Sequence, residues 1–370
     1  MLIGIDASRT AKQLKTGTET YSSELIKALA KIDRRNYYIL YSPKPLTNKL
    51  PDLPPNFQTK ILPFGKLWTQ IRLSWEFLLA KKPDVFFVPA HTLPLISPPK
   101  SVVTIHDLGF KHFPELYSAT DLNYQSWALS HSLKHAAHII AISQFTKKDI
   151  CQYFAIDPAK ISVIYEGYDE KIFRPVKVKK NRPKPYILFI GRLEEKKNIV
   201  GMLRAYAILR KEKAIQHQFI LAGSPGYGYE KIESELAKLP EEIKKDIILP
   251  GYVSQEEYVD LLKNADILFF CTFFEGFGLP PLEAMATGIP VVAANRTAIP
   301  EVCSKAALLV DPTQPLAMAA ALSRVINNLG LRRALISKGL ARAALFSWRK
   351  TAEQTLAVFE MVYNKSREAQ

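Results

Sequence analysis

A chain of 370 residues with 48% apolar and 23% charged side chains has the balance of a globular protein, which excludes a disordered, collagen-like or repeat-only chain. At roughly 150 residues per domain it has room for two. The net charge of +15 sits mainly in the first half, where residues 1–180 hold 25 Lys and Arg against 15 Asp and Glu; an anionic partner fits that half, as does a basic surface that serves only solubility.

In chain order, short apolar runs read as strands at Leu2–Ile5, Tyr37–Tyr41, Val85–Val88, Val102–Ile105, His138–Ile142, Ile161–Ile164, Tyr186–Ile190, Gln218–Ala222, Ile247–Leu249, Ile267–Cys271, Val291–Ala293 and Ala307–Val310. Most are continuously apolar, the mark of strands covered on both faces. Helical patterns lie between them, for example Thr18–Lys31, Leu67–Ala80, Asp121–Ala136 and Asn198–Lys211, and the alternation reads as βαβ units in open parallel sheets. The segment 173–185 has three prolines and a dense positive run, so it reads as a linker with six strands on either side. That expectation gives domains 1–175 and 176–345, with a last helix starting near 346. Gly65–Leu79, with Trp68, Trp75, Lys66 and Arg72, reads either as a core helix or as a membrane-contact helix.

Three scattered cysteines, Cys151, Cys271 and Cys303, make neither a disulfide framework nor a zinc site and fit a reducing compartment. The apolar start meets Asp6 with no Lys or Arg before it, unlike a signal peptide, and no apolar run approaches the ~20 residues of a spanning helix. A cytoplasmic location is expected, with attachment at most to a membrane surface.

The densest chemistry is Phe273-Phe-Glu-Gly-Phe-Gly-Leu-Pro-Pro-Leu-Glu283, between two apolar strands. Gly276 and Gly278 allow close backbone approach, and Pro280 and Pro281 suit a helix's first turn. The free N–H groups near Gly278 and Leu279 then make an anion site. Glu275 and Glu283 can each accept two hydroxyl hydrogen bonds, as a sugar or ribose diol offers. In Gly191-Arg192-Leu-Glu-Glu-Lys-Lys197-Asn198 a strand ends at a glycine, and Arg192 and Lys197 flank a helix start, either as phosphate ligands or as cations paired with Glu194 and Glu195. Thr16-Gly17-Thr18 is a loop before a helix, and His106-Asp107 ends a strand. The chain lacks a dinucleotide-binding glycine fingerprint after its first strand, a Walker loop, a metal-ligand cluster and a nucleic-acid module, which argues against a dehydrogenase, a P-loop nucleotidase, a catalytic metal and a nucleic-acid partner.

Together these residues resemble the retaining glycosyltransferases of the GT-B fold, family 4, over nearly the whole chain and most closely over 186–312. The Glu-x7-Glu motif is matched by Glu275 and Glu283, and the Gly-Arg…Lys-Asn motif by Gly191, Arg192, Lys197 and Asn198. Gly251-Tyr252-Val253 resembles the segment that packs on the nucleotide base, and His106 matches the family's first-domain histidine. Two positions depart from the pattern: Thr16-Gly17-Thr18 stands where many members have paired glycines, and Glu166-Gly167 where many have Asn-Gly.

The resemblance implies two Rossmann-like domains, a last helix that returns to the first, and metal-free transfer of a sugar, with mannose from GDP-mannose the single best choice, to a glycan or lipid-linked acceptor. In it Arg192, Lys197, Gly17 and the helix start at Gly278 and Leu279 meet the diphosphate, Tyr252 and Val253 the base, Glu283 the ribose, and Glu275 and His106 the donor sugar. A nucleotide-sugar epimerase, a UDP- or dTDP-sugar transferase and a non-catalytic sugar-nucleotide binder remain open alternatives at this point.

Overall fold

The computed structural model describes residues 1–12, 17–46, 50, 52–175 and 184–365. The chain forms two compact units, one of Met1–Gly167 with Ser347–Gln370 and the other of Tyr168–Phe346. Residues 176–183 of the expected linker, and Thr16 of the first loop, lie outside the described residues.

The first unit is built on seven parallel strands: β1 (Leu2–Asp6), β2 (Tyr37–Ser42), β3 (Phe57–Ile61), β4 (Val85–Val88), β5 (Ser101–Ile105), β6 (His138–Ala141) and β7 (Ile161–Val163). Their order is β3-β2-β1-β4-β5-β6-β7. The second unit has six: β8 (Tyr186–Ile190), β9 (Gln218–Ala222), β10 (Ile247–Gly251), β11 (Ile267–Phe270), β12 (Val291–Ala294) and β13 (Leu308–Val310), ordered β10-β9-β8-β11-β12-β13. All neighbouring pairs are parallel, with β1 in register Leu2 to Tyr37 through Asp6 to Tyr41 against β2. In each sheet the order reverses once, between β1 and β4 and between β8 and β11. Loops at the carboxyl ends of those strands part there and leave a crevice for a ligand.

The apolar runs are what the sheets bury. Val85, Phe86, Phe87 and Val88 of β4 and Ile187, Leu188 and Phe189 of β8 are shielded to within about 1%. Removing each such side chain from water contributes roughly 1.5–3 kcal/mol. The strand absent from the sequence expectation is β3, because Phe-Gln-Thr-Lys-Ile buries only Phe57 and forms a solvent-facing edge. An edge strand that buries a single residue has little reason to be apolar elsewhere.

The last helix, Trp348–Lys365, belongs to the first unit, where Trp348 meets Tyr21 and Phe359 packs on Phe87 at 5.1 Å between ring centroids. Gly167 lies against the backbone it returns to; a Cβ there would stand 2.1 Å from the Trp348 nitrogen. The segment Gly65–Leu79 is core on one face and surface on the other. A π-helical turn at Trp68–Arg72 leads into the helix Leu73–Leu79; Trp68, Leu73 and Phe77 are buried, while Trp75, Leu78 and Leu79 are exposed. Among the described residues no helix is long and apolar enough to cross a membrane.

Candidate active site

In the second unit, β8 and β9 end side by side on glycines. Gly191 and Gly223 take φ of 145° and 153°, and a Cβ on Gly223 would stand 1.9 Å from the Gly191 carbonyl oxygen. Glycine is required there because the two strand ends touch through their backbones. Arg192 follows and is exposed; among the described residues no carboxylate pairs with it. Gly226 leaves space for its stem, since a Cβ there would come within 2.8 Å of Arg192 Cγ and Cδ.

The chain then makes a short turn, Glu195–Lys197, and enters the helix Ile199–Lys211 through Asn198, a left-handed residue with φ 56°. The buried Asn198 amide donates to the carbonyls of Cys271, 2.9 Å, and Pro312, 2.7 Å, tying this loop to the ends of β11 and β13. Lys197 Nζ lies 2.7 Å from Glu275 Oε1, with 16% and 12% of the two side chains exposed. The cations therefore do not share the nearby acids in the way simple solvated pairing would have it. Glu194 pairs with Lys196 and Glu195 with Lys231, while Lys197 reaches across to the other motif.

Glu275 is held a second time, its backbone N–H donating to Thr297 Oγ1 at 3.2 Å. Gly278, with φ 109°, precedes the helix Leu279–Ala286, which carries Pro280 and Pro281 in its first turn as expected. A side chain on Gly278 would strike Ile299 Cδ1 at 2.7 Å. Glu283 accepts a hydrogen bond from the Tyr258 hydroxyl. Tyr258 is partly buried; desolvation of its hydroxyl first, and then the Glu283 carboxylate, push that hydroxyl well above the ordinary tyrosine range, so it remains a donor. Its helix, Gln255–Asn264, starts at a Ser254/Glu257 capping box right after Gly251-Tyr252-Val253. Residues 251–253 are thus fixed to Glu283 through one helix, and Tyr252 presents its ring to solvent at 61% exposure. Arg192, Lys197, Tyr252, Val253, Glu275, Gly278, Leu279 and Glu283 all lie on loops or helix starts following β8, β10 and β11.

His106 and Gly17 belong to the first unit. Gly17 opens the helix Gly17–Ile32 and faces open space, with nothing within 4 Å of a Cβ. His106 ends β5 and is buried. Its Nε2 lies 3.0 Å from the Pro89 carbonyl oxygen and its Nδ1 3.4 Å from Glu166 Oε1, with Tyr21 edge-on at 4.8 Å. The histidine that lines the unit's large cavity, about 1150 Å³, is His91, together with Arg9, Lys12, Thr69, Asp107 and Tyr124. Burial, then the neighbouring His106, lowers the His91 pKa to about 3, against an opposing pull from Asp107, so it is neutral. Arg9 and Lys12 both pair with Glu19, at 3.2 and 3.3 Å, and with Lys44, Asp107 and Asp121 also on the wall its charges of either sign are equal in number.

Sequence reasoning missed Tyr258, Thr297 and His91, and it could not say what the Glu166-Gly167 departure does. The structure gives Glu166 a partner in His106 and Gly167 a close backbone approach. The Ser-x-x-Glu box at 254–257 was the available signal for Tyr258; Thr297 and His91 had none, because their neighbours are distant in sequence.

Residues 15–171 match the family model described as Glycosyltransferase Family 4, and residues 170–342 the model described as Glycosyl transferases group 1. An Escherichia coli protein, O-antigen chain mannosyltransferase B, is 29% identical over 97% of this chain and 99% of its own length. Among solved structures, sucrose-phosphate synthase from Thermosynechococcus elongatus superimposes with a TM-score of 0.76 at 19% identity over 99% of this chain and all of that one. Anabaena HepE, solved in complex with UDP and glucose, gives 0.71 at 17% identity over 97% and 99%. These likenesses establish a GT-B fold.

Proposed function

This chain belongs to the family 4, group 1 glycosyltransferases, and on that premise we propose that it moves mannose from GDP-mannose to a glycan or lipid-linked acceptor of the cell envelope, with retention at the anomeric carbon. Membership sets aside the epimerase and the non-catalytic binder. The mannosyl choice is supported by the relative that matches along its whole length.

The observation that carries the donor side is the held cluster in the second unit. In the proposed step the bond from the anomeric carbon to the β-phosphate oxygen breaks, and an acceptor hydroxyl oxygen bonds to that carbon on the same face. Its proton passes to the departing phosphate, where negative charge grows. Arg192, Lys197 and the helix start at Gly278–Leu279 are positive groups aimed at such an anion, and fixed groups of this kind act without reorganising. They supply what a divalent metal would, so no metal is expected to be needed. Glu283, oriented by Tyr258, takes the ribose hydroxyls; Tyr252 and Val253 take the base; Glu275, oriented by Lys197, takes the sugar.

Melting temperature should rise with GDP and GDP-mannose, and not with the UDP, ADP or dTDP counterparts. The rise should persist in EDTA, since ligand at a hundred times its Kd stabilises by about 2.7 kcal/mol. A shift with another diphosphate would move the donor to that base, loss of the shift in EDTA would overturn metal independence, and no shift at all would overturn the donor site.

We also place the enzyme at the cytoplasmic face of an anionic membrane. Trp75, Leu78 and Leu79 form an exposed apolar face. Lys60 beside Glu76 brings the exposed Ile61 to one side of it, and Ser74 Oγ, accepting from the Ile96 N–H at 3.0 Å, brings Leu95 and Ile96 to the other. Lys66, Lys81 and Lys82 are exposed at its ends. Apolar side chains ringed by lysines suit an anionic headgroup layer. Sedimentation with vesicles of anionic lipid at low salt should carry down the native protein and leave the Trp75→Glu/Leu79→Glu double variant in solution. Equal behaviour of the two proteins, or no uptake of either, overturns the placement.

A further inference from the structure

The helix Ala119–His135 stands out against the rest of the surface. Its exposed stripe carries Tyr124, Trp127, His131 and His135, spaced three, four and four residues apart and so stacked along one face. The rings form a continuous row: 6.3 Å between the centroids of Tyr124 and Trp127, 5.9 Å from Trp127 to His131 with planes 18° apart, and 4.3 Å from His131 to His135. Tyr124 is 41% and Trp127 48% exposed. The row is pinned: Gln70 Nε2 donates to the Tyr124 hydroxyl at 2.5 Å, His131 Nε2 lies 3.1 Å from the Pro94 carbonyl oxygen, and His135 Nδ1 2.8 Å from that of His131.

Between Asp121 and Lys134 this helix has no Asp, Glu, Lys or Arg, in a chain where 23% of residues are charged. Its other exposed groups there, Asn123 and Ser130, are neutral donors and acceptors. One end of the row opens into the large cavity, since Tyr124 also lines it, beside Gln125.

We propose that this face is a track for the acceptor, which is a neutral glycan several sugars long rather than a single sugar; the proposal rests on the transferase reading and deepens its acceptor side. A sugar ring has an apolar C–H face and a hydroxyl edge. Rigid aromatic plates meet the first, and amide and hydroxyl groups meet the second. An anionic bilayer asks for a ring of cations such as the Trp75 face has; here Lys134 at one end is the single Lys or Arg of the helix between Asp121 and His135. Continuity with the cavity commits the occupant: the growing end of the glycan sits by Tyr124 and the preceding sugars pass over Trp127 and His131.

The test uses calorimetric titration of the full chain with mannobiose and mannohexaose, and a parallel transfer assay with GDP-mannose. The hexaose should bind at least about tenfold more tightly than the biose, a difference of about 1.4 kcal/mol. In Trp127→Ala that advantage should vanish, and in Trp127→Phe it should largely return, a ratio that a merely structural role would not move. Equal affinities in the native protein, no binding of either, or an advantage that survives in Trp127→Ala would overturn the track, as would loss of vesicle uptake in Trp127→Ala with the ratio intact. Transfer of mannose to either probe in the parallel assay keeps the transferase reading standing if the track fails. Absence of transfer alongside a persistent hexaose advantage counts against that reading instead.

Discussion

Replacing Arg192 by alanine should lower turnover at least about tenfold, with Lys197→Ala as severe or worse. A tenfold loss corresponds to about 1.4 kcal/mol of transition-state stabilisation, small for a cation facing a departing diphosphate. The two variants should differ in their accompaniments. Arg192 is exposed and unpaired among the described residues, so its loss should hardly change melting. Lys197 also anchors Glu275 at 2.7 Å, so its loss leaves a largely buried carboxylate without its partner and should raise the donor KM as well. Steady-state kinetics with the donor identified by the melting panel, and thermal unfolding of each variant, check both parts. Near-native turnover in both variants would remove the phosphate clamp from the mechanism.

Gly223→Ala should destabilise the second unit by more than about 2 kcal/mol, since alanine is strained at positive φ and its Cβ would overlap a backbone atom. The overlap is with the Gly191 carbonyl oxygen, 1.9 Å away, which no side-chain rotation relieves. At roughly 2–4 °C per kcal/mol for a domain of this size, melting should fall by about 4 °C or more. Gly17→Ala is the matched control, because nothing stands within 4 Å of its Cβ; its melting temperature should stay close to native. Because Arg192 directly follows Gly191, donor binding should fall along with melting in Gly223→Ala. Unchanged melting would mean that the two strand ends do not touch in solution.

The candidate site of the second unit was largely legible as a cluster because its residues are grouped. Gly191 to Asn198 and Glu275 to Glu283 are two short segments, each at the end of an apolar strand, and strand-end glycines and first-turn prolines report local backbone geometry. Asn198 was visible only as a motif letter; its work, bonding the carbonyls of Cys271 and Pro312, joins segments 73 and 114 residues away. Gly65–Leu79 was ambiguous for the same reason. Its pattern shows that Trp68 and Trp75 are seven residues apart, but which face meets the core depends on what packs against it.

What the sequence by itself determined is the class of each element and the chemistry of each strand end. Continuously apolar runs bury on both faces only in parallel α/β sheets, and period and turn chemistry are local properties that the chain carries wherever it goes. What only the tertiary structure decided are the partnerships: Lys197 with Glu275, Tyr258 with Glu283, His106 with Glu166, and the aromatic row that runs from the cavity along one helix. Each of the three pairs joins residues at least 25 apart, and the row matters only because its first ring opens into a cavity built from other elements. These partnerships are set by strand order, and strand order is fixed by which apolar faces bury together, a property of the whole chain rather than of any segment.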